Sequence, residues 1–270
     1  MNAPTNKAAQ SLAHYTNLDG LRGIIESGRL RASNVAFLND REELVHGIKC
    51  AKRAVSTMLK DAKLRQWKEP IAQIAAQIEN GRLPNTYAAC FCEKSDLLSQ
   101  WRGYGGKEQG VCLVFEARGL EAMRHGKRSF LSPVQYGLIN GKAALRDSLR
   151  TRLLAIDVED FTAMDDAGRA RTVYDVVSEL IPRFKHKGFE AELEWRLVVQ
   201  HETLRSSVQF RTNGNVLVPF IELGEGELPL KYVRIGPGSD PELTQRSVET
   251  FLAARGYEVE VVMSRVPFRT

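Results

Sequence analysis

With 270 residues, 43% of them hydrophobic and 26% charged, the chain can bury a full core as one large domain or two small ones. Its apolar stretches fall well short of the roughly 20 residues that span a bilayer, and the polar start lacks the apolar core of a secretory signal. A cytoplasmic protein with no membrane partner is expected, and a formal net charge of +5 suits nucleic acid or an anionic cofactor without requiring either.

No long run of Pro, Gly or Ser and no fixed-period repeat divides the chain. The reading is therefore a single domain over residues 1–270, with helical insertions at about 41–80 and about 141–185. After a frayed start, Thr16 or Asn17 caps a short helix with Leu18, Leu21, Ile24 and Ile25 at helical spacing and Gly28 as its stop. His14 and Tyr15 would lie just before that helix. Leu30 to Leu38 reads as extended or looped, and Asn39-Asp40 as a cap for a long helix through Leu59, with a second amphipathic helix over Trp67 to Ile78. Thr86 to Cys92 and Val111 to Phe115 read as strands flanking a functional loop, Glu93 to Gly110.

Further on, a strand near Leu131 to Tyr136 precedes helices over Lys142 to Ile156 and Arg171 to Phe184. Strands then dominate: Glu192 to Gln200, Val208 to Arg211, Val216 to Glu222 and Tyr232 to Ile235. A turn through Gly236 to Asp240 leads into a helix with Pro241 at its first position, and Glu258 to Met263 closes the chain as a strand. Segregated helices and strands imply an α+β fold with a mainly antiparallel β core and helical insertions.

The chemistry concentrates in three places. Glu192 and Glu194, two apart on a strand, would leave one face together with Arg196, while Trp195 and Leu197 face the other way. Such a carboxylate pair suits reaction at an oxocarbenium-like sugar centre, and a structural Glu194–Arg196 ion pair explains the spacing equally. His14, Tyr15 and Thr16 offer a ring nitrogen, an aromatic face and a hydroxyl beside a helix N-terminus that favours phosphate. In the predicted loop, Trp101, Arg102 and Tyr104 form a lid or stacking platform for a base, or a hairpin connection with Trp101 tucked over the core.

Other features read as structural. Cys90 and Cys92 alternate in a strand, and with Cys50 and Cys112 they show no metal-ligand spacing, so buried thiols are expected and no metal. His46, His125, His186 and His201 show no ligand spacing either, and no G-x-S-x-G nucleophile motif is present.

Taken in order, His14-Tyr15-Thr16, Phe37-Leu38-Asn39-Asp40, Cys90-Phe91-Cys92-Glu93, Gln100-Trp101-Arg102-Gly103-Tyr104, Glu192 to Leu197 and the tail Ser264 to Arg269 resemble a bacterial family of uncharacterised domains. More distantly, the H-Y-T start and the late glutamate are similar to NAD-dependent ADP-ribosyltransferases, particularly DNA-modifying toxins and RNA 2'-phosphotransferases. That resemblance implies a split antiparallel β-sandwich and NAD as the substrate cofactor. It makes His14 the histidine that holds the NAD ribose, with Tyr15 and Thr16 alongside, and Glu194 the catalytic glutamate, with Glu192 as the first acid of an E-x-E pair. Arg102 or Arg196 would then neutralise the pyrophosphate.

The chain departs from the resemblance where Cys90-Phe91-Cys92 replaces an S-T-S-like strand. The function expected is transfer of ADP-ribose to a nucleic acid or protein acceptor, as a toxin or phage-defence effector with an antitoxin or other neutralising partner. The rival is a noncatalytic nucleotide or nucleic-acid sensing module using the same cleft.

Overall fold

The computed structural model describes residues 9–38, 41–79, 85–105, 109–123, 129–201 and 207–267, with residues 41–44, 79 and 201 described by backbone alone. The cap expected at Asn39-Asp40 lies outside the described residues. Most of the start expected to be frayed, residues 1–8, lies outside the described residues; the first described element, where no strand was expected, is β1 (Ser11–Asn17), and it is central. Alternation of buried Ala13 and Tyr15 with half-buried His14 and Thr16 is the period-two signature of that strand.

Asn17 is the cap of α1 (Leu18–Ser27): its side chain accepts from the Gly20 amide at 2.9 Å, and Gly28 ends the helix in the left-handed region at φ 63°. Next come β2 (Leu30–Asn34), the long α2 (Arg41–Met58), α3 (Lys68–Glu79) and β3 (Asn85–Cys92). The expected loop after β3 instead contains a short helix, α4 (Leu98–Tyr104), before β4 (Gly110–Glu116) and α5 (Ala117–Ala122).

The expected strand near Leu131 to Tyr136 is two pieces, β5 (Ser129–Pro133) and β6 (Gln135–Tyr136). Helices α6 (Leu138–Leu154), α7 (Val158–Ala163) and α8 (Asp166–Leu180) follow. A helix expected to run through Phe184 stops at Leu180, because Pro182 lacks the amide the next turn needs, and Phe184 joins the two-residue strand β7 (Phe184–Lys185). The remaining elements are β8 (Glu194–His201), β9 (Gln209–Asn213), β10 (Val216–Leu223), β11 (Leu230–Ile235), α9 (Pro241–Ala254) and β12 (Glu260–Met263).

The expected α+β class is the one observed, with a ten-stranded sheet that is antiparallel except where β11 meets β12, and a separate parallel pair, β6 with β7. Leu21 and Ile25 of α1, Leu120 of α5 and Val248 and Leu252 of α9 bury against its inner face with Leu12, Phe91, Phe115, Trp195 and Leu197. The helices of the two expected insertions pack together: Cys50, Val55 and Met58 of α2, Ile71, Ile74 and Ile78 of α3, Leu145 and Leu149 of α6 and Val173 and Val177 of α8 share one apolar cluster around Trp67. No helix among the described residues is long and apolar enough to cross a membrane.

One irregularity positions everything that follows. β8 pairs with one edge of β3 along its length, from Asn85↔His201 to Cys92↔Glu194. On the other edge β3 is shared by two strands: β1 touches it only at Ala13↔Cys92, and β2 only at Ser33↔Ala88 and Asn34↔Tyr87. β1 continues with β4, β11 and β12, while β2 continues with β10 and β9. The sheet therefore forks at residues 89–91 of β3, and the fork is open.

Gly28 lies in the turn between α1 and β2, where an added Cβ would come within 2.5 Å of the Gly226 carbonyl oxygen. Together with its positive φ, that close approach predicts that Gly28→Ala lowers stability by about 1 to 3 kcal/mol. Urea unfolding of the two proteins measures it, and equal midpoints would refute the close approach.

Candidate functional site

A cleft of about 580 Å³ opens at the fork, lined from β1 and α1 by His14, Thr16, Asn17 and Gly20, from β2 by Arg31 and Ser33, and from the far side by Tyr104, Lys185, Glu194 and Arg196. Five basic residues on its walls, Arg29, Arg31, Lys185, Arg196 and Arg211, outnumber the acidic Asp19 and Glu194. An inner recess of about 70 Å³ shares His14, Cys90, Tyr104 and Glu194 with the cleft and adds Gln100 and Glu192.

His14 fills the fork. The carbonyl of Cys90 lies where no strand reaches it, and His14 Nδ1 donates to it at 2.9 Å. A carbonyl only accepts, so the proton sits on Nδ1 and Nε2 keeps its lone pair. Burial, only partly offset by the Cys90 bond, holds the imidazole below its ordinary pKa, so the ring is neutral at physiological pH. Thr16, two residues on, faces the cleft as well, and Gly20 is what lets it: a Cβ there would collide with the Thr16 hydroxyl.

Glu194 opens β8, but the regular strand expected from Glu192 does not exist. Lys187–Glu192 is a 3-10 turn, and Leu193 takes the left-handed conformation at φ 47°, so Glu192 and Glu194 do not share a strand face. They meet through a third residue that the sequence reading did not single out. Lys185 Nζ lies 2.7 Å from Glu192 Oε2 and 2.8 Å from Glu194 Oε2, with its side chain 4% exposed.

Arg196 completes the cluster: Nε donates to Glu194 Oε1 at 2.6 Å, Nη2 to Oε2 at 3.0 Å and Nη1 to the Pro182 carbonyl at 3.0 Å. From β8 onward the expected alternation is observed, since Trp195 and Leu197 enter the core on the opposite face. Burial alone would raise the Glu194 pKa. The Arg196 guanidinium and the Lys185 ammonium more than offset it, and the carboxyl is held at about 2. Three donors occupy three of the roughly four acceptor positions of a carboxylate, which leaves one on Oε1.

The other expected site residues divide. Tyr104 is 42% exposed at the mouth of the recess and free to stack, with its hydroxyl pushed up to about 12 by burial and by the nearby Glu192 charge. Trp101 is not a stacking platform: it is 5% exposed, its ring meets Tyr15 edge-on at 4.7 Å, and Nε1 donates to Asp96 at 2.9 Å. It is tucked over the small apolar cluster with Ala13, Cys92, Cys112 and Val114, the alternative that the sequence leaves open.

Tyr15 belongs to the same cluster. Its hydroxyl donates to the Lys94 carbonyl at 2.8 Å and accepts from the Leu97 amide at 3.0 Å, which fixes the connection into α4, while the residue also lines both the recess and the cleft. Arg102 is exposed on α4 and lines neither cavity, and Arg196 spends its guanidinium on Glu194 and Pro182, so neither is placed to hold a pyrophosphate. Cys90 sits on the cleft wall, while Cys50, Cys92 and Cys112 are buried thiols.

The sequence reading missed the arginines of the opposite wall. Arg29 reaches Glu222 at 3.1 Å, Arg31 lies over the Phe220 ring at 4.9 Å, and Arg211 Nη2 donates to Ser33 Oγ at 3.3 Å. They come from β2, β9 and the turn before β2. Their only sequence signal is the alternation of arginine with apolar residues in Arg29-Leu30-Arg31, a pattern that any solvated strand shows.

Over residues 100–197 the chain is similar to an uncharacterised family, described as a protein of unknown function (DUF2971). That stretch includes Gln100, Tyr104, Lys185, Glu192, Glu194 and Arg196 but not His14, and the family carries no assigned activity. No curated protein and no solved structure matches the chain.

Because the Glu194 carboxyl is depressed from 4.5 to about 2, the stability it contributes is fully present above about pH 4.5 and is lost as the pH falls toward 2. Glu194→Gln removes the carboxylate that two buried cations share and is expected to cost about 3 to 5 kcal/mol at neutral pH. The double variant Glu194→Gln/Lys185→Gln removes one charge of each sign and recovers part of that loss. Acid and urea titrations followed by circular dichroism measure both effects, and a Glu194→Gln protein as stable as wild type would refute the ion cluster.

Proposed function

We propose that the chain is an ADP-ribosyltransferase-like enzyme that takes NAD into the cleft at the fork, releases nicotinamide and passes ADP-ribose to a nucleic acid or protein acceptor. The observation that carries this reading is the convergence of His14 from β1 and Glu194 from β8 on one cleft where the sheet divides. A cavity of about 580 Å³ is within the usual range for a nucleotide-sized ligand. The resemblance in the H-Y-T start and the late glutamate supplies NAD, and the fork supports the split-sandwich architecture that the resemblance implies.

Bound NAD supplies a ribose carbon that becomes electron-poor as nicotinamide leaves. Neutral His14 presents the Nε2 lone pair to a ribose hydroxyl. Glu194, ionised throughout the physiological range, has one acceptor position left on Oε1 for a second hydroxyl and adds negative charge beside the reacting carbon. Tyr104 supplies the aromatic face. Arg29, Arg31 and Arg211 take over the pyrophosphate role that the sequence reading gave to Arg102 and Arg196. On this reading the protein is a cytoplasmic effector of toxin or phage-defence type, held in check by a neutralising partner.

A second reading, a noncatalytic nucleotide-binding module, is favoured by one observation: two cations offset the Glu194 charge that a transition state would use.

Incubation with labelled NAD and separate pools of DNA, RNA and protein tests these readings. Wild type is expected to release nicotinamide and label one pool. The charge-balanced Glu194→Gln/Lys185→Gln variant, folded by circular dichroism, should lose about 100-fold or more of that activity. Binding of NAD without release selects the module, and a folded protein that does not bind NAD removes the NAD reading.

A further inference from the structure

The recess at the inner end of the cleft holds a side chain with nothing to bond. Gln100, on α4, is 7% exposed, and no other described residue hydrogen-bonds its amide. Sealed interior atoms without a partner include Nε2 of Gln200 but neither polar atom of Gln100. The Gln100 oxygen and nitrogen are therefore open to the recess, although the residue as a whole is enclosed. An enclosed amide left to a few waters gains from a ligand that matches its donor and its acceptor together.

A side-chain amide offers an acceptor next to a donor, and the edge that matches it is another primary amide, read in the opposite sense. A carboxylate does not match, because one of its oxygens would face the Gln100 oxygen, lone pair against lone pair. Glu192 and Glu194 on the same walls add to that repulsion. About 70 Å³ holds an amide head but not an aromatic ring, so the ring stays at the mouth, where Tyr104 exposes its face.

We propose that Gln100 reads the carboxamide of the nicotinamide ring and is the residue that selects NAD over its carboxylate counterpart, nicotinic acid adenine dinucleotide. The assignment rests on the NAD reading of the cleft. Tyr15 and Trp101 enter it only as supports: Tyr15 ties down the connection into α4 and Trp101 anchors the helix beside Gln100, while Gln100 makes the contact.

Calorimetric titration of the full chain with each dinucleotide tests the assignment, alongside Gln100→Met, which keeps the length of the side chain and removes its polar edge. Wild type is expected to bind NAD at least about tenfold more tightly than the acid, and Gln100→Met to lose about tenfold to a hundredfold for NAD, with the preference collapsing toward unity. Its melting temperature should stay near that of wild type.

Wild-type affinity for NAD in Gln100→Met would overturn the assignment and leave the NAD site standing, as would equal binding of the two dinucleotides by wild type, a comparison that needs no variant. A cooperatively melting wild type that binds neither would overturn the NAD reading and this assignment with it.

Discussion

The buried cluster of Glu194, Arg196 and Lys185 is the constraint around which the rest of the molecule is arranged. Each side chain is less than a tenth exposed, and an isolated charge at such depth would cost several kcal/mol. The three are tolerable only together, and they come from different parts of the fold. Glu194 and Arg196 stand on β8 in the sheet, whereas Lys185 stands on β7 at the end of the helical layer. The Pro182 carbonyl that takes the last arm of Arg196 belongs to the same helical end. The contacts that join this helical end to the sheet are thus also contacts of the cleft wall.

The fork in the sheet is the second constraint, and it has the same logic. Where two strands share one edge of β3, a stretch of backbone must go unpaired, and an unpaired carbonyl needs a donor or water. Cys90 finds that donor in His14, so the ring is fixed in one tautomer by a structural requirement. A site residue with a set proton position is then a by-product of sealing the sheet. β8, continuous on the other edge, brings Glu194 level with Cys92, which places the carboxylate across the opening from the imidazole.

Much of this was legible in the residues, and the failures have physical causes. Alternation and capping signals located α1, β3, β4, β10 and α9, because their patterns are local. β1 was missed because its alternation, Leu12-Ala13-His14-Tyr15-Thr16, is short and its one-sided burial depends on strands that arrive much later in the chain. The Glu192–Glu194 pair was expected to meet through strand geometry and meets through Lys185, since a single left-handed residue at Leu193 breaks the register that the spacing assumed. Trp101 and Tyr104 read alike in sequence and, three apart, lie near one face of α4, but Trp101 in the middle is covered by the apolar cluster whereas Tyr104, the last residue of the helix, reaches the cleft. The arginine wall could not be read at all, being assembled from segments as distant as Arg29 and Arg211.

What the cluster allows chemically follows from its accounting of charge and lone pairs. With Lys185 and Arg196 against Glu192 and Glu194, the four groups sum to zero, so the far-reaching field of the Glu194 carboxylate is largely cancelled. Short-range directionality survives: one acceptor position on Oε1 stays available, and the bidentate Arg196 contact prevents the carboxylate from rotating. Such a group is better suited to orienting a hydroxyl than to stabilising a cation at a distance. Under the proposed function, Glu194 therefore acts chiefly by aligning a ribose hydroxyl, and its charge counts only at contact distance from the reacting carbon.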